Sequence, residues 1–135
     1  MELLTWDESY SVNVNFIDGQ HKKLFNLANG YSEALKNGES KAALSRLLDS
    51  LAEYANVHFS TEERYFVQFN YLHSEEHKRE HLIISKKIEE LKTKIKVGIE
   101  IEQDEVSNFL RIWLDGHVKG TDQKYIECFN KNGLR

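Results

Sequence analysis

Residues 44–69 read LSRLLDSLAEYANVHFSTEERYFVQF. Counting forward from Leu44 in alternating steps of four and three picks out Leu48, Leu51, Ala55, His58, Glu62, Tyr65 and Phe69. That spacing is the core seam of a packed helix. His58 and Glu62 interrupt the apolar run four apart, so both side chains leave one face and point into the core. An imidazole and a carboxylate placed there need partners, because an unpaired charge in an apolar interior is costly.

The same pattern recurs on either side. A helix from an Asp18 N-cap to Asn37-Gly38 has the stripe His21, Leu24, Ala28, Tyr31, Leu35. The quoted stretch belongs to a second helix, from a Ser40 cap to about Asn70. A third runs from near Ser74 to Gly98, with the stripe His77, His81, Ile84, Ile88, Leu91, Ile95. A fourth runs from near Asp104 to about Lys119, with Val106, Leu110, Trp113 and His117, and Thr121 caps a short last helix reaching about Lys131. The chain has no proline, as long helices require. Val12, Val14 and Phe16 alternate with Asn13 and Asn15, which predicts an extended arm laying one face on the bundle. Short connections make sequential helices antiparallel neighbours. The expected fold is therefore all-α: an up-down-up-down antiparallel four-helix bundle with an extended N-terminal arm and a short C-terminal helix. Residues 1–135 form one domain, with the arm at 1–17, the bundle at 18–119 and a C-terminal segment at 120–135.

In that topology His21, His58, Glu62, His77, His81 and His117 gather in one half of the bundle. His58 with Glu62, and His77 with His81, each present two donors one turn apart, a spacing that grips one metal ion or bridges two. His117 and Asp122 are five apart, about 140° off a common face on a regular helix. Both can point inward if the backbone loosens between them, and Gly120 is the residue to allow it. His73 forms a second HxxxH with His77, but stepping back along the third stripe from His77 lands on Ser74. His73 is therefore expected to lie outside the set. Cys128 cannot form an internal disulfide, being the single cysteine, and is expected to fill space.

Composition narrows the function. A net charge of −4 argues against a basic nucleic-acid face. No apolar run approaches a membrane span, and the acidic first residues do not read as a signal peptide, so a cytoplasmic protein is expected. HExxH, CxxC and Glu-x-x-His are all absent, which removes zincin, thioredoxin-type and ferritin-like di-iron readings.

The set His21, His58-xxx-Glu62, His77-xxx-His81 and His117-xxxx-Asp122 resembles the hemerythrin family, and specifically its single-domain bacterial members. Trp6, Asp18-Gly19-Gln20-His21, the run His58 to Glu63 and Trp113-Leu114-Asp115-Gly116-His117 carry the likeness across nearly the whole chain. The resemblance implies a non-haem di-iron centre. His77, His81 and His117 would hold one iron, His21 and His58 the other, and Glu62, Asp122 and an oxo or hydroxo group would bridge them. The second iron would keep one position for O2, with Leu24, Phe59, Trp113, Leu114 and Val118 lining the pocket. Imidazole and carboxylate alone would also suit zinc or manganese, so iron comes from the family. The implied function is reversible O2 binding for carriage, storage or delivery to an O2-consuming enzyme, by a monomer that is not itself an enzyme. An O2 or redox sensor, or a di-iron enzyme acting as oxidase, peroxidase or in nitric-oxide handling, are the alternatives. The chain shows no output segment for the former, and a His-rich site with one free position disfavours the latter.

Overall fold

The computed structural model describes residues 3–135. Met1 and Glu2, the first two residues of the expected arm, lie outside the described residues. Three long helices, α1 (Asn15–Lys36), α2 (Ser40–Gln68) and α3 (Ser74–Lys96), are followed by a fourth in two parts. It begins as α4 (Gln103–Arg111) and continues as a π-helical stretch, Ile112–Val118. A 3-10 turn (Thr121–Tyr125) and the short helix α5 (Ile126–Lys131) complete the chain. Helix α2 packs against both α1 and α3. The result is the antiparallel four-helix bundle that the stripes predict, and among the described residues no helix is long and apolar enough to cross a membrane.

The helix ends explain the short connections. Helices α1 and α3 stop at Gly38 (φ +78°) and Gly98 (φ +82°), left-handed positions that suit glycine. In each, the next amide turns back onto the helix: Glu39 N donates to the Ala34 carbonyl at 3.2 Å and Ile99 N to the Lys94 carbonyl at 2.8 Å. Helix α2 closes in the same way with Asn70 at φ +52° and Tyr71 N on the Phe66 carbonyl. Asparagine tolerates this conformation better than other non-glycine residues.

The helix starts differ from expectation. Helix α1 begins at Asn15, and its N-cap position is Val14 rather than Asp18. Asp18 sits in the first turn and reaches backward, accepting from Val12 N at 2.8 Å and Ser11 Oγ at 2.6 Å. It thereby fastens the arm to the helix, with its charge near the positive end of the dipole. Ser40 is the first residue of α2, not its cap. Thr121 does not cap α5 either, because its hydroxyl donates to Glu80 Oε1 at 2.7 Å.

The arm does lay a face on the bundle through Val12 and Val14, both fully buried, but Phe16 already belongs to α1 and is exposed. A 3-10 turn at Glu8–Tyr10 interrupts the arm. Leu4 and Asn29 exchange two hydrogen bonds of 2.7 and 2.8 Å, which tie its start to α1.

The seam of α2 is buried from Leu44 to Glu62 and then shifts: Phe66 is buried, whereas Tyr65 and Phe69 are only partly so. Two apolar clusters result. The larger fills the bundle from Tyr31, Leu44 and Leu91 to Leu24, Phe59, Trp113, Leu114 and Val118. The smaller closes one end with Val12, Val14, Ile17, Phe66, Tyr71, Tyr125 and Phe129. The polar residues of the four stripes lie between the two.

Candidate metal centre

His21, His58, Glu62, His77, His81, His117 and Asp122 are all buried and all meet between the two apolar clusters. They fall into two overlapping groups. One comprises Glu62, His77, His81, His117 and Asp122; the other comprises His21, His58, Glu62 and Asp122. Within each group one donor atom per residue lies within 4.8 Å of all the others. Glu62 and Asp122 belong to both. His73 is exposed and outside both groups.

The inner atoms crowd together. His81 Nε2 is 3.0 Å from Glu62 Oε1, and His77 Nε2 is 2.9 Å from Asp122 Oδ1. His117 Nε2 and His21 Nε2 each stand 3.2 Å from an Asp122 oxygen. His21 Nε2 and His58 Nε2 face each other at 3.0 Å. Yet Glu62 Oε1, both Asp122 oxygens and the Nε2 atoms of His77, His81 and His117 have no hydrogen-bond partner in suitable geometry. Buried polar atoms are almost always paired. Here the lone pairs converge on common points instead of on one another.

The outer ring nitrogens fix how the imidazoles are presented. His58 Nδ1 is 2.5 Å from Gln20 Oε1, His81 Nδ1 is 2.7 Å from Glu63 Oε2, and His117 Nδ1 is 3.0 Å from Glu80 Oε1. In each case Nδ1 donates a proton outward, so it is Nε2 that turns to the interior, and its lone pair is the one a cation would engage once any proton there is displaced. The acceptors are distributed in a regular way. Gln20 on α1 serves α2, Glu63 on α2 serves α3, and Glu80 on α3 serves the π stretch. Tyr125 donates to Glu62 Oε2 at 2.5 Å and its ring stacks near His77. Phe59 lies flat on His81, with centroids 3.9 Å apart. Gln20 and Glu63 lie in the runs that carry the family likeness, but sequence reasoning gave them no role, and it missed Glu80 and Tyr125 altogether. The available signal was position: the first three directly adjoin His21, Glu62 and His81 in the chain.

His117 and Asp122 reach the same site through a longer distortion than expected. The backbone widens from Ile112 onward, and Lys119 N donates to the Leu114 carbonyl, five residues back, at 2.9 Å. Gly120 then breaks the helix at a negative φ, −107°. Its role is steric rather than conformational, since a Cβ there would run into the Gly116 carbonyl oxygen. Thr121 bonds to the same Glu80 oxygen that holds His117, which secures the turn carrying Asp122.

Electrostatics without metal show the strain between charges. Burial opposes an imidazolium at His77 and His117, but Asp122 and Glu62 outweigh it, pushing them up to about 9 and about 10. Burial pushes His58 down to about 4. Burial also works against ionised Glu62 and Asp122, yet the surrounding imidazoles hold both well below the usual carboxylate range. Two buried anions among five imidazoles form a donor set suited to cations.

Comparisons with known proteins agree. The family described as Hemerythrin HHE cation binding domain matches residues 12–129. A bacteriohemerythrin of Clostridium acetobutylicum is 33% identical over 132 residues, covering 93% of this chain and all (100%) of that protein. One of Methylococcus capsulatus is 31% identical, covering 96% and 99%. A hemerythrin-like protein of Naegleria gruberi is 35% identical over 89% of this chain and 88% of its own. A wild-type hemerythrin crystal structure superposes with a TM-score of 0.84 at 29% identity, covering 94% of this chain and 98% of that one.

Proposed function

The chain belongs to the hemerythrin family, and from that premise we propose that it binds O2 reversibly at a pair of non-haem iron ions, for carriage, storage or delivery to an O2-consuming enzyme, without turnover of its own. The observation that carries the reading is the pair of overlapping donor groups with shared carboxylates and unpartnered inward atoms. Such atoms are a liability in an apolar interior unless cations engage them. The donor set therefore fits the metal pair that the family implies.

In this reading His77, His81 and His117 would hold one ion, and His21 and His58 would hold the other. Glu62 and Asp122, common to both donor groups, would serve both ions. Bound there, a ferrous pair supplies two electrons that O2 can take up and give back. Everything else is the work of the chain. Gln20, Glu63 and Glu80 hold protons on the outer ring nitrogens and aim the inner ones. The Tyr125 hydroxyl steadies Glu62. Three nitrogens on one side and two on the other make the sides unequal, so a small ligand would be taken on the His21 and His58 side. Leu24, Phe59, Trp113, Leu114 and Val118, all buried, exclude water, which slows loss of electrons to solvent species.

The test is direct. Iron-loaded protein, reduced without air, should carry two irons per chain, colour on exposure to O2, bleach under vacuum and colour again. One iron or none per chain in fully loaded material, or an irreversible change with release of peroxide, overturns the reading.

A further inference from the structure

Tyr54 lies on α2 one turn before His58, and its residue is only 5% exposed. Its ring stacks on the His58 imidazole with centroids 5.3 Å apart and planes 18° apart, and it leans on Trp113 at 5.9 Å. On its outer side it helps line a cleft of about 230 Å³ with Gln20, Leu27, Val57 and His58. The hydroxyl oxygen does not reach that cleft's solvent: it is fully buried and has no hydrogen-bond partner. Stacking on His58 and packing on Trp113 need the ring alone, which phenylalanine would supply. The hydroxyl has given up water and gained no protein partner. The indole nitrogen of Trp113, on the neighbouring ring, is buried and unpartnered too. One unused hydrogen-bond donor thus stands on the ring that stacks on His58, in the half of the centre that has fewer nitrogens, and a second lies on the ring packed against it.

We propose that the Tyr54 hydroxyl is a hydrogen-bond donor of the gas pocket, placed on the His21 and His58 side to retain O2 and small anions such as azide. The proposal rests on the O2-binding reading above. A phenol keeps its proton at neutral pH and can also accept a hydrogen bond, so it can follow a ligand whose charge changes on binding. Selectivity follows: ligands with strong acceptor atoms gain from Tyr54, and weak acceptors of similar size do not.

The test is Tyr54→Phe, read in two states. Metal-free, the variant should melt at or above the temperature of the unaltered protein, because deleting an unpartnered buried hydroxyl removes a penalty. A lower melting temperature means the hydroxyl is paired inside the protein and overturns the proposal. Iron-loaded, with iron content unchanged, the azide dissociation constant of the oxidised form and the O2 dissociation rate of the reduced form should each rise about tenfold. Unchanged values, where the unaltered protein binds both ligands, overturn the proposal and leave the O2 reading standing. An unaltered two-iron protein that takes up neither ligand sinks both.

Discussion

His77 and His117 carry the proton chemistry of the metal-free protein. With pKa values of about 9 and about 10, both are protonated at pH 7.5, and metal must displace those protons. Loading at that pH should release about two protons per chain, measurable by calorimetry in buffers of different ionisation enthalpy. The sign for stability follows. A folded pKa raised above the unfolded value of about 6.5 gives stabilisation that is complete below pH 6.5 and is lost as pH rises through 9 to 10. The metal-free protein should therefore weaken between pH 7 and 10, whereas the loaded protein should not show that loss. Melting curves of both forms across the range check it. Glu80 tests the support given to one imidazole. In Glu80→Ala, His117 and Thr121 lose their shared acceptor, and metal affinity should fall roughly 10- to 100-fold against a competing chelator. Six of the seven buried polar positions were legible because they break apolar stripes at fixed spacing; Asp122 lies on no stripe and was found through its five-residue spacing from His117 and the family likeness. Their supports were not, because Gln20, Glu63 and Glu80 act across to a neighbouring helix, and no periodicity within one helix records that.

The π stretch and the break at Gly120 are the elements that make the site complete. Gly120→Ala places a methyl against the Gly116 carbonyl, which neither neighbour can vacate without moving the turn. A cost of about 1–3 kcal/mol is expected in the metal-free protein, together with loss of metal because Asp122 is displaced from His117. Thermal melts and iron analysis of the same sample check both parts. The need for a distortion could be read from the five-residue gap, but its extent could not. A widened turn uses the same residue types as a regular one. The shift of the α2 seam from Tyr65 to Phe66 has a plainer cause. Steps of four and three average 3.5 residues, a straight helix turns every 3.6, and the difference drifts by about 20° per heptad. After three heptads the next residue faces inward. The helix starts were misassigned for a related reason: a carboxylate near a start, such as Asp18, can serve the backbone from the cap or from inside the first turn.

At the scale of the whole molecule, the bundle encloses a charged centre that its own packing does not satisfy. Structural metal sites contribute on the order of 10 kcal/mol to folding, comparable with the whole net stability of a small domain. Complete chelation should lower the melting temperature by at least about 15 °C, read by calorimetry on matched samples. Equal temperatures would mean that the seven residues are content without cations. Glu62 and Asp122, common to both donor groups, also constrain how such a molecule can diverge over generations. A substitution at either carboxylate is felt in both halves at once, whereas one at any of the five histidines touches a single half. A lineage that keeps one cation position and abandons the other is therefore expected to begin at the histidines of the abandoned half, and the acidic pair should be the last feature to go.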